Sequence, residues 1–329
     1  MRAAVAVSQN FDDPLAGISV QDVPDPAVPP GHSRVRVVSS SLNMHDVWTL
    51  RGVGHPPERI PIVLGCDASG YDDAGNPVIV YPVFGDPSRG GGDVTFDPKR
   101  TLLGEVYNGG LADYIVVPTE NLIPMPKWLT FDEAACLTVA WGTAYRMLFT
   151  HGDVHGGDRV LVQGAFGGVS TAAIALARAA GAVVYATSRT AEGREHALTA
   201  GAHVALSPGE RLPERVDVVI ETVGEATWDH SLKSLRPGGA IIIAGATSGS
   251  APSADLSRVF FNQLRVFGST GVTVDEFRAM LRLMEATQTR PLIDRVLPLD
   301  RVVEGYQAML DGNVAGKIVI RITDEVVSK

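Results

Sequence analysis

The stretch RVLVQGAFGGVSTAAIALARAAGAVVYATSRT, residues 159–190, holds the residues best suited to chemistry. A glycine-rich turn divides an apolar run from a helix-favouring one, and a second apolar run follows. Glycine lets the backbone pass close to a phosphate, and the helix that follows offers free N–H groups and the positive end of its dipole. Gly167, Gly168 and Val169 are therefore candidate contacts for the pyrophosphate of a dinucleotide; the alternative is a turn that merely packs tightly. The motif is weak alone and gains specificity from its strand–turn–helix–strand setting. Ser170 stands where such a turn usually has its last glycine, and its small hydroxyl still permits close helix–strand packing. The second apolar run ends in Ser188 and Arg189, without the carboxylate that would accept hydrogen bonds from ribose hydroxyls. A carboxylate repels a 2′-phosphate, whereas a hydroxyl and a guanidinium bind one. NADPH is the expected cofactor, against the alternative of an ordinary solvated arginine.

The elements that must position these groups follow from the rhythm of the chain. VVYATS, VDVVIETVG, AIIIAGA and LRVFGST alternate with helical segments, which implies right-handed crossovers and a parallel, doubly wound Rossmann sheet. Thr222, Val223, Ala244, Gly245, Ser269 and Thr270 then fall at the carboxyl edge of that sheet, where ligands of such folds sit. Residues 1–129 are different: short β-branched runs broken by Pro and Gly suggest a β-rich domain. TFDEAACLTVAWGTAYRMLF opens on a helix-capping pattern at Thr130 and Glu133. After residue 274 come two amphipathic helical patterns and a last strand, GKIVI, expected to return to the first domain. The expected division is 1–129 with 275–329 for the β-rich domain and 130–274 for the nucleotide domain.

The totals narrow the partners. The 329 residues carry a net charge of −9 without basic runs, which argues against nucleic acid and anionic membranes as partners. The two cysteines, Cys66 and Cys136, lie far apart, so a disulfide framework is not expected and a reducing cytoplasm is. The N-terminal MRAAVAVSQNFDDP lacks the pattern of a signal peptide, and no apolar run has the length of a membrane span.

MRAAVAV, SLNMHDVWTLRG, LGCDASG, GGLADYIVVP, LTFDEAACLTVAWGTAYRML, GAFGGVS and the terminal GKIVI, in this order over nearly the whole chain, resemble the medium-chain dehydrogenase/reductase superfamily. The resemblance implies a GroES-like catalytic domain split around a Rossmann domain, with a nicotinamide in the cleft between them. The positions where its alcohol dehydrogenases hold catalytic zinc read Asn43, Cys66 and Val139, and the stretch corresponding to their structural-zinc lobe, residues 84–110, has no cysteine. Three protein ligands are needed for a catalytic zinc, so no metal is expected. The chain is thus similar to the zinc-free quinone oxidoreductase branch and its enoyl-reductase relatives, whose asparagine Asn43 matches. This implies hydride transfer from NADPH to a quinone or α,β-unsaturated carbonyl, and a homodimer formed through edge strands near AIIIAGA and LRVFGST. Two other readings stand beside it: a biosynthetic tailoring enoyl or imine reductase, and a nucleotide-binding structural or regulatory protein that keeps the fold.

Within that resemblance Asn43 is a candidate to hydrogen-bond a cofactor ribose or substrate carbonyl, and Thr143 corresponds to a threonine near the nicotinamide. Related enoyl reductases carry a tyrosine acid where this chain has Gly54 and His55. His55 is the candidate proton donor, with His45 a comparable outsider and a surface-loop histidine the plainer reading. Asp46 is expected to orient backbone or His45, and Cys66 to be a buried thiol. Lys317 either approaches the cofactor or caps the last strand. Trp48, Tyr107 and Phe261 are split between substrate lining and core.

Overall fold

A computed structural model describes residues 1–323 of the chain. They form two compact units, Met1–Val139 with the chain from Ile293 onward, and Ala140–Leu292.

The first unit is mostly antiparallel. Its seven-stranded sheet runs in the order Leu122–Pro124, Pro77–Val80, Ser69–Asp72, His32–Ser41, Lys317–Arg321, Ile293–Pro298, with Tyr114–Pro118 also pairing to His32–Ser41. The terminal strand does return: Val319, Ile320 and Arg321 lie opposite Ser41, Ser40 and Ser39 in antiparallel register. Burial drives this. Ile318 and Ile320 enter one core with Leu42, Val47, Leu50 and Tyr306, while Val35 and Val37 enter another with Val80, Leu103 and Ile115. Alternate residues of a strand face opposite sides, so Val319, between Ile318 and Ile320, is buried on the other face.

The segment standing where a zinc lobe would be is tied by charge. Asp97, with no exposed side-chain surface, accepts hydrogen bonds from Arg89 Nε at 3.0 Å and Nη2 at 2.7 Å. The backbone N–H groups of Asp86 and Lys99 donate to the same carboxylate at 2.7 and 2.9 Å. The Arg89 guanidinium, followed by the Asp86 N–H, holds this carboxyl well below the usual carboxylate range.

The second unit is a six-stranded parallel sheet in the order Val204–Leu206, Val183–Thr187, Arg159–Val162, Val216–Glu221, Leu235–Ile243, Arg265–Gly268. Val160, Leu161, Val162, Val219, Ile220, Ile241 and Ile242 are fully buried, as strands covered on both faces require. The helix Gly168–Ala179 packs on it through Ala172, Ala173, Ile174, Leu176 and Ala177. The helix Val274–Thr287 also belongs to this unit, so the division falls after Leu292 rather than at 274. It buries Phe277, Met280, Leu281 and Met284, and its Glu276 accepts from Arg146 at 2.7 Å. Likewise Thr130 and Glu133 form the expected capping box, but the helical run to Val139 stays with the first unit. Beyond Ala134 this run is not regular: wide π-type turns occupy Leu137–Trp141 and Arg146–His151.

Because the Asp97 pKa is depressed in the folded chain, its contribution is complete above the ordinary carboxylate value of about 3.9 and fades as pH falls below it. Asp97→Asn is expected to speed protease cleavage within residues 86–100 at neutral pH. The wild-type chain should approach the same rate only on acidification.

Candidate functional site

At the carboxyl edge of the parallel sheet, Gly164 has φ +69°, and a Cβ there would lie 2.6 Å from Val223. Gly167 is the N-cap of the helix Gly168–Ala179, with no side-chain cap, and the position of its missing Cβ is open space. The first-turn amides of a helix have no intrahelical acceptor, so this turn is a cradle for an anion. A pyrophosphate fits what is present. Ser170, in place of the usual glycine, is 2% exposed, and its Oγ lies 3.3 Å from both the Gln163 carbonyl and Thr222 Oγ1. The hydroxyl therefore joins the turn to the tip of a neighbouring strand.

Two buried side chains shape this edge. Gln163 accepts from Thr187 Oγ1 at 2.6 Å and donates to Ser231 Oγ at 3.0 Å. Glu221 accepts from the N–H groups of Val223 and Gly224 at 2.8 and 3.0 Å and from the hydroxyls of Thr227 and Ser231 at 2.9 and 2.7 Å. Thr222 and Val223 thus follow a loop wrapped around a carboxylate. Ala244 N donates to the Glu221 carbonyl at 3.1 Å, and a Cβ on Gly245 would approach the Thr222 carbonyl to 2.9 Å, so these four residues are brought together. Ser269 joins them through its N–H on Ile243, while Thr270 is exposed. Thr143 is 9% exposed on the short helix Gly142–Tyr145.

At the tip of Val183–Thr187, Ser188 is 7% exposed and Arg189 is exposed. A second cation, absent from the sequence reading, stands beside them: Arg194 Nη1 donates to the Ser188 carbonyl at 3.1 Å. Gly193 makes this approach possible, since a Cβ there would sit 2.1 Å from Ser188 Oγ. The spacing Ser188–x₅–Arg194 across a helix start was the available signal.

The first unit holds a buried polar network centred on Asp67. Its Oδ2 accepts from Ser41 Oγ at 2.7 Å and Asn43 Nδ2 at 2.8 Å; its Oδ1 accepts from Val139 N at 3.0 Å and from Thr138 Oγ1. Lys317, 3% exposed, donates from Nζ to the Leu42 carbonyl at 2.8 Å and to Asn43 Oδ1 at 2.7 Å, with Asp67 Oδ2 at 3.5 Å. The ammonium only donates and the carboxylate only accepts, so together they fix which end of the Asn43 amide is which. Nδ2 also donates to the Ser41 carbonyl at 3.2 Å, leaving neither amide hydrogen for a ligand. Asn43 therefore offers acceptor capacity at Oδ1 and does not suit the role of polarising a substrate carbonyl. Lys317, expected either to approach the cofactor or to cap the last strand, is the first residue of that strand and holds Asn43.

Asp46, 2% exposed, accepts from the N–H groups of Asn43 and Gly65 at 3.1 and 2.9 Å, which is the orienting role expected of it. Burial raises its pKa, with His45 and these N–H groups pulling the other way. Cys66 Sγ lies 3.5 Å from Asp46 Oδ1, and burial pushes the thiol well above its ordinary value. His55 is 3% exposed, and among the described residues neither ring nitrogen has a hydrogen-bond partner of good geometry. Burial, then the charge of Arg59, lowers its pKa, which keeps the ring neutral near pH 7 and suits it poorly to donate a proton. His45 Nε2 lies 3.1 Å from Glu105 Oε1, but among the described residues it too has no hydrogen-bond partner of good geometry. Tyr107 packs on Phe84 with centroids 4.4 Å apart, Trp48 lies under Arg51, and Phe261 is 79% exposed and stacked on Phe260. Phe261 is thus no core residue.

Residues 29–127 match the family model of the alcohol dehydrogenase GroES-like domain, and residues 168–286 that of the zinc-binding dehydrogenase. A zinc-type alcohol dehydrogenase-like protein of Schizosaccharomyces pombe is 31% identical over 319 residues, covering 89% of this chain and 91% of its own. A quinone oxidoreductase of Pongo abelii is 27% identical over 310 residues, 89% of this chain and 90% of that one. The crystal structure of an NAD-dependent alcohol dehydrogenase has a TM-score of 0.90 at 32% identity, covering 98% of this chain and 100% of that one. The 2-octenoyl-CoA carboxylase reductase CinF, in complex with NADP and 2-octenoyl-CoA, has a TM-score of 0.88 at 25% identity, covering 97% and 87%. The chain belongs to the medium-chain dehydrogenase/reductase superfamily, an oxidoreductase class whose fold carries a nicotinamide cofactor.

That superfamily includes zinc enzymes, and the residues here do not fit the metal. Both ends of the Asn43 amide are engaged, one by a resident ammonium. Cys66 is the one thiol among the three positions, whereas a catalytic zinc needs three protein ligands. Val139 contributes an N–H to Asp67 and has no ligating side chain. Among the described residues no group of three or more His, Cys, Asp or Glu is arranged to hold a metal ion.

Breaking the Lys317–Asp67 pair leaves a buried carboxylate uncompensated. Lys317→Met is expected to destabilise the chain by about 3–5 kcal/mol in chemical unfolding. Adding Asp67→Asn should restore part of the loss; a double variant no more stable than the single one would refute the pairing.

Proposed function

We propose that the protein is a zinc-independent, NADPH-dependent reductase that transfers hydride to a quinone or an α,β-unsaturated carbonyl. The observation that carries this reading is the Asn43 amide held between the Lys317 ammonium and Asp67. An amide tied to a resident ammonium, a single thiol and a valine stand at the three positions where a zinc enzyme needs ligands. Oxidising a simple alcohol profits from a metal-bound alkoxide. Quinones and enones accept hydride without one, because the incoming charge delocalises onto oxygen and needs only hydrogen bonds and exclusion of water. The likeness to a quinone oxidoreductase and to an enoyl-thioester reductase supports the same substrate class.

For the cofactor, the Gly167–Val169 turn would hold the pyrophosphate, and Ser188, Arg189 and Arg194 the 2′-phosphate. The NAD-dependence of one structural neighbour belongs to that protein; here the strand tip bears cations and no carboxylate. When bound, the dinucleotide supplies the hydride. Asn43 Oδ1 is suited to accept from a ribose hydroxyl.

A homodimer belongs to the same reading. The edge strand Arg265–Gly268 is exposed throughout and pairs on one side only, with Leu235–Ile243. Beside it Phe260, Phe261, Val266 and Phe267 are 62%, 79%, 44% and 38% exposed, an apolar margin that a second copy pairing edge to edge would cover.

Purified protein should oxidise NADPH with quinones or enones and contain no stoichiometric zinc. Zinc held at one per chain, or turnover of simple alcohols alone, would overturn the proposal. Arg189→Ala with Arg194→Ala should weaken NADPH by at least about tenfold, from the ~1.5–3 kcal/mol of a charged hydrogen bond, and leave NADH unchanged. An unaltered preference removes both arginines from the cofactor site. Phe261→Asp is expected to convert a dimer to a monomer in light scattering without loss of helix content.

A further inference from the structure

The glycine turn and the cationic strand tip are joined by one aromatic side chain, Phe166. It stands between Gly164 and Gly167, half-buried, with its N–H on the Gly164 carbonyl at 2.8 Å. Just before it, Ala165 N donates to the Thr187 carbonyl at 2.9 Å, which ties the turn to the last residue of Val183–Thr187. The Phe166 ring reaches across to the helix Ala191–Thr199, the helix that carries Arg194. There it stacks on His196, with centroids 5.4 Å apart and planes 21° from parallel. It also closes over Gly193: a Cβ on that residue would lie 2.4 Å from Cε2 and 2.6 Å from Cδ2 of the ring, and 2.1 Å from Ser188 Oγ. The ring edge and the Ser188 hydroxyl thus converge on one point above a glycine.

The start of this helix has bonds of its own. Thr190 Oγ1 accepts from the Gly193 N–H at 3.0 Å, and Arg194 Nη1 reaches back to the Ser188 carbonyl at 3.1 Å. Both bonds lie within residues 188–194 and neither extends to the glycine turn. The ring does. An aromatic side chain is rigid and prefers a definite stacking geometry, so one packed between two segments fixes their spacing. All the residues concerned belong to the unit Ala140–Leu292.

We propose that Phe166 is a specificity-determining residue for the phosphorylated dinucleotide. Through its stack on His196 and its contact over Gly193, it sets Ser188 and Arg194 at the spacing from the Gly167–Val169 turn that a pyrophosphate and a 2′-phosphate on one molecule require. The role is one of positioning, and it rests on the cofactor reading above. A dinucleotide without the 2′-phosphate has no group for that corner, so its binding does not depend on where Arg194 stands.

The test is titration calorimetry on the full chain, without substrate, using NADPH, NADH and 2′,5′-ADP, which carries the 2′-phosphate and no nicotinamide. Phe166→Ala should weaken NADPH and 2′,5′-ADP by about tenfold, the scale of one lost aromatic pair, and leave NADH nearly unchanged. Phe166→Leu keeps apolar bulk over Gly193 without the stack; it should shift the preference the same way and by less, and it serves if the alanine variant does not fold. In a chain already carrying Arg189→Ala and Arg194→Ala, Phe166→Ala should add little, because its effect passes through the cationic corner. Equal weakening of NADPH and NADH in the Phe166 variants, or no change in either, would overturn the inference. So would a further full loss of NADPH affinity in the arginine-substituted chain. A wild-type chain that binds NADPH no better than NADH would instead overturn the cofactor reading, and the role of Phe166 with it.

Discussion

The first unit depends on the neutralisation of one buried carboxylate. Asp67 has no exposed side-chain surface, and an ionised group at that depth persists only where donors and an opposite charge surround it. Those donors come from segments far apart along the chain: Ser41 and Asn43, Thr138 and Val139, and Lys317. The return of the last strand is therefore an electrostatic requirement as well as a packing one. Pairing Val319–Arg321 with Ser39–Ser41 is what carries the ammonium to Asn43. The same contacts decide the orientation of the Asn43 amide, so topology and ligand-binding capacity follow from one interaction.

The second unit uses the same device beneath its strand tips. Gln163 and Glu221 are fully buried side chains whose partners are loop amides and hydroxyls. Glu221 has its charge turned inward and absorbed by the loop it shapes. The tip of Val183–Thr187 has no such buried carboxylate; Arg189 follows it in sequence and Arg194 donates to the Ser188 carbonyl. The contrast between neighbouring strand ends is what gives the edge its polarity.

The parallel sheet and its glycine turn were legible in the sequence because they rest on local constraints: continuous apolar strands, a positive φ at Gly164, and open space over Gly167. Relations between distant segments were less so. The amphipathic pattern of Val274–Thr287 announced a helix needing a partner, but not that the partner was the parallel-sheet unit. Lys317 left two roles open, and its acceptors, Leu42 and Asn43, lie at the opposite end of the chain. His55 drew attention by its place in a family pattern. What separates it from His45 is Glu105, a residue no local pattern links to either. Phe261 reads as core by type, yet stands exposed beside an open strand edge.

Two cationic side chains lie close to Asn43 in structure or sequence, and their surroundings divide their work. Lys317 is 3% exposed, and its charge balances a carboxylate with no exposed side-chain surface; removing that charge would strand Asp67. It is a static cation. His45 is partly exposed, and the neighbouring Glu105 also accepts from Thr101 and Leu102. Lys317 is buried and tied to Asn43 and Asp67, whereas His45 is partly exposed beside Glu105, and that difference in burial is what separates the two.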